Sequence, residues 1–425
     1  MKEELLHFIW KYQLFTSTDL QTDQGELIQV IHQGYLNDDA GPDFSQARIK
    51  IGETTWIGNV EIHIHSSDWF KHQHHTDSAY KSVILHVVFE NDRSNKEELH
   101  CPTLSISKQI DHSLFEHYQS LMQSKLWIPC LSQIHEVDTI TKASWQNRLM
   151  VIRLEKRYLQ IQKMLENNES DWQQTFFEHL ARSFGFKVNA DAFENLAKNT
   201  PLKLFAWHKN NLLQIEAILF GQSGLLPKNA QDDYTISLTK EYDFLKTKYK
   251  LTPIAKQNWK FARMRPSNFP TIRLSQLANL LFKSSALFSK IIEIEDLNEL
   301  TSLFQTEASY YWSDHFQFDQ TSTIKRRKKL GASSINTLLI NTVIPFLFAY
   351  GKEKNLTKLQ ERSIDFIEKL KPEQNNITNK MLEIGFKNDH AAHSQALIEL
   401  HTSFCKNKKC LNCSIGTSLL RKQKH

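Results

Sequence analysis

The first part of the chain alternates between helical and β patterns of apolar positions. Residues 2–15 carry a dense apolar stripe that predicts a short first helix. Strict alternation over residues 47–51 and 55–65 predicts a β-hairpin, because side chains along a strand point to opposite faces in turn. The nearly continuous apolar run at residues 82–89 is typical of a strand buried on both faces. These elements predict an α/β domain over residues 1–130.

The rest of the chain has long apolar repeats of helical period. They predict helices over residues 145–165, 172–184, 190–198, 212–220, 271–288, 335–350 and 393–404. Residues 225–240 are polar and predict a loose connection. We therefore expect an α+β protein in which the mixed-sheet N-terminal domain precedes a larger, mainly helical domain over residues 131–392. A short C-terminal segment with clustered cysteines, residues 393–416, would follow.

Composition narrows the class of protein. The chain has 425 residues, 23% of them charged and 40% hydrophobic, which is too apolar for a disordered protein. A net charge of +5 permits a polyanionic partner without requiring one. The N-terminus lacks the features of a secretory signal, and the apolar run at residues 335–350 contains Asn336, Asn341 and Pro345 and is shorter than the ~20 residues of a membrane span. We expect a cytoplasmic protein without a membrane partner, and the sequence does not predict its oligomeric state.

A pair of acids beside a histidine cluster predicts a metal site. Asp43 follows Pro42, and Glu61 comes 18 residues later in the alternating run, with His63 and His65 on the same strand face. Carboxylates are the ligands that Mg²⁺ and Mn²⁺ prefer, so Asp43 and Glu61 are the predicted metal ligands. The alternative is a turn aspartate and a strand whose polar face is simply exposed to solvent.

Histidines are concentrated around the second acid, since six of the chain's 19 fall within residues 63–86. Side chains from this stretch are predicted to line the same site: His65, Asp68, His72, His74, His75, Asp77 and His86. Two histidines and a carboxylate also form the ligand set of non-haem iron enzymes and cupin-like barrels, which is an alternative interpretation. His86 lies in the apolar strand, where a hydrogen-bonded core histidine is the commoner role.

The C-terminal cysteines predict a second metal site. In Cys405-x4-Cys410-x2-Cys413 the Cys-x2-Cys turn can direct two thiolates at one ion, and His401 lies four residues before Cys405. Together they would form a four-ligand zinc site. An iron–sulfur cluster with Cys130 or Cys101 as a remote fourth ligand is an alternative, and so are three cysteines without a ligand. Five cysteines, an odd number, do not resemble a disulfide framework.

Two groups of basic residues are candidates for nucleic-acid binding. Arg263, Arg265 and Arg273 flank prolines just before a predicted helix, which suits phosphate binding, although they can equally pair with carboxylates. A five-residue basic run would hold a nucleic-acid backbone without sequence specificity, or would simply be a solvated loop: Lys325, Arg326, Arg327, Lys328 and Lys329.

Several sequence phrases resemble an uncharacterised bacterial domain-of-unknown-function family. They extend over most of the chain: AGPDF at 40–44, WIGNVEIHIHSSDW at 56–69, VILHVV at 83–88, IEAILFGQSGLL at 215–226, RMRPSNFPTIRLSQLA at 263–278 and CLNCSIG at 410–416. This resemblance implies no particular activity.

Residues 41–90 also resemble the PD-(D/E)xK nuclease superfamily. That resemblance implies a restriction-endonuclease-like mixed sheet flanked by helices, with Asp43 as the first acid and Glu61 as the second. His63 stands where the superfamily has lysine, and would take over its role in orienting the attacking water. The function implied is hydrolysis of nucleic-acid phosphodiester bonds with Mg²⁺ or Mn²⁺. The alternatives are a non-catalytic scaffold that binds nucleic acid or protein, and a cupin-like non-haem metal enzyme.

Overall fold

The computed structural model describes residues 2–37, 39–93, 99–284 and 286–422. The predicted α+β class is confirmed, with an N-terminal mixed sheet followed by a larger helical region. Two compact units divide the chain, and the division falls inside a long helix. The first unit comprises residues 1–145, 383–386 and 399–425, and the second comprises residues 146–382 and 387–398.

A six-stranded mixed sheet forms the centre of the first unit. Its strands are β1 Ile28–His32, β2 Tyr35–Leu36, β3 Phe44–Ile51, β4 Thr54–His65, β5 Val83–Glu90 and β6 Thr103–Ser105. The order is β1-β3-β4-β5-β6, with β2 paired to β3. β3 and β4 are antiparallel, as the predicted hairpin requires, and Gly52 turns the chain between them at a φ of +56°. β4 and β5 run parallel, which aligns Glu61 with His86. A small hairpin, β7 His315–Gln317 and β8 Gln320–Thr321, belongs to the second unit.

The helices follow the predicted order with different bounds. They are α1 Glu3–Lys11, α2 Asp68–Lys71, α3 His112–Gln123, α4 Thr139–Asn167, α5 Trp172–Phe184, α6 Ala190–Lys198, α7 Lys203–Trp207, α8 Leu212–Gln222, α9 Asp233–Tyr249, α10 Pro270–Lys283, α11 Leu287–Glu293, α12 Leu297–Leu303, α13 Ala332–Leu338, α14 Ile344–Glu353, α15 Thr357–Lys369, α16 Asn376–Glu383, α17 Ala391–Glu399 and α18 Ser414–Arg421. The single helix expected over residues 271–288 is two helices, because the chain adopts an extended conformation at Ser284.

Helix α1 covers one face of the sheet. Glu3 and Glu4 lie in its first turn and Lys11 in its last, which complements the helix dipole at both ends. Its apolar stripe is buried, and the helix packs against β4. This packing brings the polar side chains of the first turns of α1 near the acids of the sheet.

Helix α9 occupies much of the stretch predicted to be a loose connection. The Asp232 side chain accepts a hydrogen bond from the Thr235 amide and caps the helix. Leu238, Tyr242 and Leu245 follow at spacings of four and three residues, and all three are buried. Polar residues separate these positions, so the sequence pattern did not reveal the narrow apolar stripe. That stripe is sufficient to pack the helix in the second unit.

The apolar segment over residues 335–350 is longer than its sequence suggested. Helices α13 and α14 join through a π-helical turn, Leu339–Val343, into one helical stretch, Ala332–Glu353, of 22 residues. By length and composition this stretch can cross a membrane, but 67% of its most apolar window is buried inside the protein. A core helix passes the same test, so the segment is weak evidence for a membrane span.

Candidate metal and phosphate site

Asp43 and Glu61 are joined by reciprocal hydrogen bonds between side chain and backbone, at the point where β3 begins beside β4. The Asp43 amide donates a hydrogen bond of 3.1 Å to Glu61 Oε2, and the Ile62 amide donates one of 2.9 Å to Asp43 Oδ2. The turn before β3 is fixed by Asn37, whose side-chain amide donates to the Pro42 carbonyl. Each carboxylate is therefore oriented by the backbone of the other's strand. That both bind one shared ion stays a prediction.

Two imidazoles lie beside the other oxygen of Glu61, and a third contacts one of them. His74 Nε2 lies 3.3 Å and His63 Nε2 lies 3.6 Å from Glu61 Oε1. His72 Nδ1 is 3.2 Å from His63 Nε2. Donor atoms of His63, His72 and His74 all lie within 4.8 Å of one another, close enough to ligate one metal ion. His72 and His74 come from the connector between β4 and β5.

His86 orients His63. Its Nε2 lies 2.9 Å from His63 Nδ1, so this hydrogen bond fixes the ring and directs His63 Nε2 toward Glu61. The buried Trp69 ring contacts both His86 and His74, at centroid distances of 5.1 and 5.5 Å. His86 is thus a hydrogen-bonded core histidine that supports the site.

The polar face of β4 is not exposed to solvent. Glu61 is 5% exposed and His63 is 1% exposed. The alternative interpretation, a strand face exposed to solvent, therefore does not hold for these two residues. Burying a carboxylate is costly unless it is paired with a cation or hydrogen-bonded, so their burial is the unusual property of this sheet.

Burial determines the protonation states of the buried groups in the site. Burial, reinforced by the charge of Asp43, raises the pKa of Glu61 to about 9. Burial also lowers the pKa of His63 to about 2 and that of His86 to about 3, with neighbouring positive charge contributing in both cases. His63 and His86 are therefore neutral at pH 7, and neutral imidazole is the form that binds a metal ion.

Two residues of α1 belong to the site but were not predicted from the sequence. His7 Nε2 lies 3.2 Å from Asp43 Oδ2. Burial would lower the pKa of His7, but its interaction with the nearby Asp43 carboxylate outweighs that effect and raises the pKa. Glu3 is half-buried on the same helix, and burial raises its pKa. Their spacing of four residues, which places both on one helix face, was the available signal.

A cavity of about 790 Å³ reaches Asp43 and His7. Five lysines line it against two carboxylates, those of Glu4 and Asp43: Lys2, Lys11, Lys406, Lys408 and Lys409. Lys408 donates to the Met122 carbonyl. The other four lysines are exposed. The cavity is therefore basic, with an acid at one wall.

The other residues predicted to line the site have local roles. Asp68 accepts hydrogen bonds from the His65 amide and the Lys71 ammonium, and Asp77 caps a short 3₁₀ turn by accepting from the Ala79 amide. His75 is exposed and packs beside Phe70.

The predicted basic residues all lie in the second unit. Arg273 is buried, where it donates to Gln276 and Asn268. Lys328 is buried as well and donates to backbone carbonyls, including those of Ser313 and His315. The remaining six are exposed: Arg263, Arg265, Lys325, Arg326, Arg327 and Lys329. The exposed six are the ones with side chains accessible to a ligand.

The predicted cysteine site lies in the first unit. Cys410 and Cys413 are buried and Cys405 is partly buried. The His401 ring stacks on Trp127 at a centroid distance of 4.9 Å. Cys130, the remote cysteine, is buried too and belongs to the same unit.

Comparisons with known proteins identify the family without an activity. No curated protein and no solved structure matches the chain. The resemblance to the PD-(D/E)xK superfamily thus stays a proposal. The family model for DUF2851, described as a protein of unknown function, matches residues 3–376. The chain belongs to the DUF2851 family.

Proposed function

We propose that this protein is a metal-dependent hydrolase of phosphodiester bonds in nucleic acid. The observation that carries the proposal is the lysine-lined cavity ending at Asp43, whose carboxylate is interlocked with Glu61 beside three imidazoles. Lysines attract phosphates, and the carboxylate–imidazole cluster is suited to hold a divalent cation. Both features are needed for this chemistry, and both occur in one unit of the protein.

The cavity is suited to a polyanionic chain. Lys2, Lys11, Lys406 and Lys409 are exposed along it, so their ammonium groups are available to phosphates. A cavity with excess positive charge raises the local concentration of an anionic substrate. The carboxylate of Asp43 would repel such a substrate unless a cation neutralised it.

The ligand set favours a transition metal. Glu61, His63, His72 and His74 would hold the ion, with Asp43 adjacent. Mg²⁺ prefers oxygen ligands, whereas imidazoles suit transition metals such as Fe²⁺ and Zn²⁺, and a mixed carboxylate–imidazole set can also hold Mn²⁺. When bound, the metal lowers the pKa of a water ligand and neutralises charge on the scissile phosphate. We expect Mn²⁺ to support activity better than Mg²⁺.

His63 acts as a metal ligand in this proposal. Its Nδ1 is engaged by His86 and its Nε2 faces Glu61 and His72, the arrangement of an oriented ligand. A lysine substitute would need a positive charge, but burial lowers the pKa of His63 and keeps it neutral. His7 is better suited to that role. It lines the cavity, contacts Asp43, and has a raised pKa that favours the charged form.

The test is cleavage of labelled single- and double-stranded DNA and RNA by the full-length protein. Reactions would contain EDTA, Mg²⁺, Mn²⁺, Co²⁺ or Zn²⁺. Cleavage only with added metal is expected. Asp43→Asn and Glu61→Gln should each abolish cleavage and leave binding intact, because binding depends on the lysines. Asp39→Asn and Glu53→Gln remove the same charges at exposed positions and should cleave like the wild type.

Exchanging histidines for lysine distinguishes the two roles. His63→Lys should abolish cleavage if His63 is a ligand, while His75→Lys at an exposed position of the same connector should not. His7→Lys should retain activity, whereas His7→Gln should lose it, because only lysine preserves the positive charge. Full activity of His63→Lys would instead assign the charged role to His63.

Metal-dependent binding without cleavage of any substrate would contradict the proposal. It would favour a nucleic-acid-binding scaffold, in which the exposed basic residues of the second unit have a natural use. The cupin-like alternative is not favoured, because the sheet follows an open path from β1 to β6 and is not a barrel.

A further inference from the structure

One wall of the basic cavity is a single face of α1. The residues that line it from this side are three or four positions apart, which places them on one side of the helix: Glu4, His7, Phe8 and Lys11. Lys2, which precedes the helix, and Lys11, in its last turn, lie at the two ends of this wall. At a rise of 1.5 Å per residue they are about 13 Å apart along the helix axis. Lysines at that separation can contact different phosphates of one strand.

The opposite wall is a short lysine-rich loop that hydrogen bonds hold in place. Lys408 adopts a left-handed φ of +51°, and its ammonium group donates to the Met122 carbonyl. The side-chain amide of Asn407 donates to two backbone carbonyls in the preceding π-helical turn. Lys406 and Lys409, which also line the cavity, remain exposed. The loop therefore presents two ammonium groups opposite those of α1.

An aromatic ring lies among these lysines. Tyr12 follows the last turn of α1, lines the cavity and is partly buried. The Phe8 ring packs beside it at a centroid distance of 4.9 Å. The guanidinium carbon of Arg421, an exposed residue, lies 4.8 Å from the centroid of the Tyr12 ring. Tyrosine rings and guanidinium planes are the groups on which proteins stack unpaired bases. The cavity thus combines a surface for bases with groups for phosphates.

The dimensions of the cavity suit one strand. A sphere of about 790 Å³ is roughly 11 Å across, which is within the size range of ligand pockets. The major groove of a DNA duplex is by itself about 12 Å wide, so the two strands beside it cannot both enter. The Asp43 side chain is 22% exposed, so a phosphate must enter the cavity to reach it. A strand that enters alone has unpaired bases.

We propose that the cavity binds a single-stranded segment of nucleic acid, with phosphates on the four exposed lysines and a base stacked beside Tyr12. This inference rests on the proposed hydrolase function, because it names the substrate class of the same site. Lysines bind phosphates without reading sequence, and stacking tolerates every base, so binding is expected to be independent of sequence. A duplex would be bound where one of its strands is unpaired.

The first test is fluorescence anisotropy of labelled oligonucleotides with the full-length protein in EDTA, where metal-dependent cleavage cannot occur. Strands of about 10 nucleotides match the site sizes of single-strand-binding proteins. DNA and RNA are each compared as a single strand and as a blunt duplex. Asp43→Asn is measured beside the wild type, because it removes the charge that repels phosphate. We expect both proteins to bind the single strand at least about 10-fold more tightly than the duplex. Equal or tighter binding of the duplex, or no binding by either protein, would overturn the proposal.

Variants of Tyr12 test the stacking surface. Tyr12→Ala should weaken single-strand binding about 5- to 100-fold, because the contact with one base is lost, while Tyr12→Phe should bind like the wild type. Trp56→Ala is the matched control, since it removes an exposed aromatic side chain near the start of β4 in the same unit. Its affinity should not change. Wild-type affinity of Tyr12→Ala would overturn the proposal.

A fluorescent base in the strand reports stacking even if Tyr12→Ala fails to fold. The fluorescence of 2-aminopurine should be quenched on binding to the wild type and to Tyr12→Phe, and unquenched fluorescence in the wild-type complex would overturn the proposal. Cleavage assays with metal separate this inference from the hydrolase function. Cleavage of duplexes but not of single strands would refute the single-strand substrate and support the hydrolase. Tight single-strand binding without cleavage under any metal would contradict the hydrolase and support the single-strand site.

Discussion

Replacing Glu61 by glutamine should stabilise the metal-free protein at neutral pH. Burial and the charge of Asp43 raise the pKa of Glu61 from 4.5 to about 9, so the folded protein keeps this carboxyl protonated. The unfolded chain releases that proton above pH 4.5. Raising the pH therefore favours unfolding throughout the interval between the two pKa values. Glutamine resembles the protonated acid, retains an acceptor oxygen for the Asp43 amide, and does not titrate.

The size of the effect follows from proton linkage. Between pH 4.5 and pH 9 the wild type loses about 1.4 kcal/mol of stability per pH unit through Glu61, or about 3 kcal/mol at pH 7. The raised pKa of His7 and the lowered pKa values of His63 and His86 also make stability depend on pH. These effects largely cancel when wild type and Glu61→Gln are compared at the same pH.

Urea unfolding in EDTA at pH 5, 6, 7 and 8 measures this difference. We expect the stability advantage of Glu61→Gln to grow steadily with pH, while Glu53→Gln, at an exposed position, follows the wild type. Adding Mn²⁺ should reverse the order, because only the wild type gains a carboxylate ligand. Parallel stability curves for wild type and Glu61→Gln from pH 5 to pH 8 would refute the reasoning.

Three further predictions concern the acid–histidine site, the basic cavity and the packing of the second unit. Metal binding at pH 7 should release about one proton from Glu61; calorimetry in buffers of different ionisation enthalpy should detect it in the wild type and not in Glu61→Gln. Exchanging Lys406 and Lys409 for alanine should reduce the salt dependence of nucleic-acid binding by about 0.7–0.9 per lysine, and unchanged slopes would exclude the cavity as the binding surface. Gly221→Ala should destabilise the second unit by about 1–3 kcal/mol, because a Cβ would lie 2.0 Å from the Tyr242 ring; urea unfolding measures this, and an unchanged midpoint would contradict it.

Much of the sheet could be predicted because its signals are local. Alternation identified the β3–β4 hairpin, and the continuous apolar run identified β5. Helix α9 was missed because its buried positions are sparse and separated by polar residues. Periodicity reports how many apolar residues a helix buries, so a narrow stripe gives a weak signal.

The site was predictable only along β3, β4 and the connector. Asp43 immediately precedes β3, and Glu61 and His63 lie on the neighbouring β4, so strand geometry was sufficient to group them. His7 could not be grouped with them, because its contact with Asp43 depends on how α1 packs on the sheet. Residues supplied by distant segments require the tertiary structure.

In the proposed function, the acid–histidine cluster is a site that is incomplete without a cation. On its own, the arrangement destabilises the fold, since a buried carboxylate lies beside a second carboxylate and imidazoles that burial keeps neutral. A hydrophobic strand face would be more stable in the same position. A bound divalent cation would remove this destabilisation, because it stabilises the ionised form of Glu61 and binds the neutral form of His63. The same groups that destabilise the metal-free protein are therefore those that would make metal binding strong, and the pH dependence of Glu61→Gln tests both consequences together.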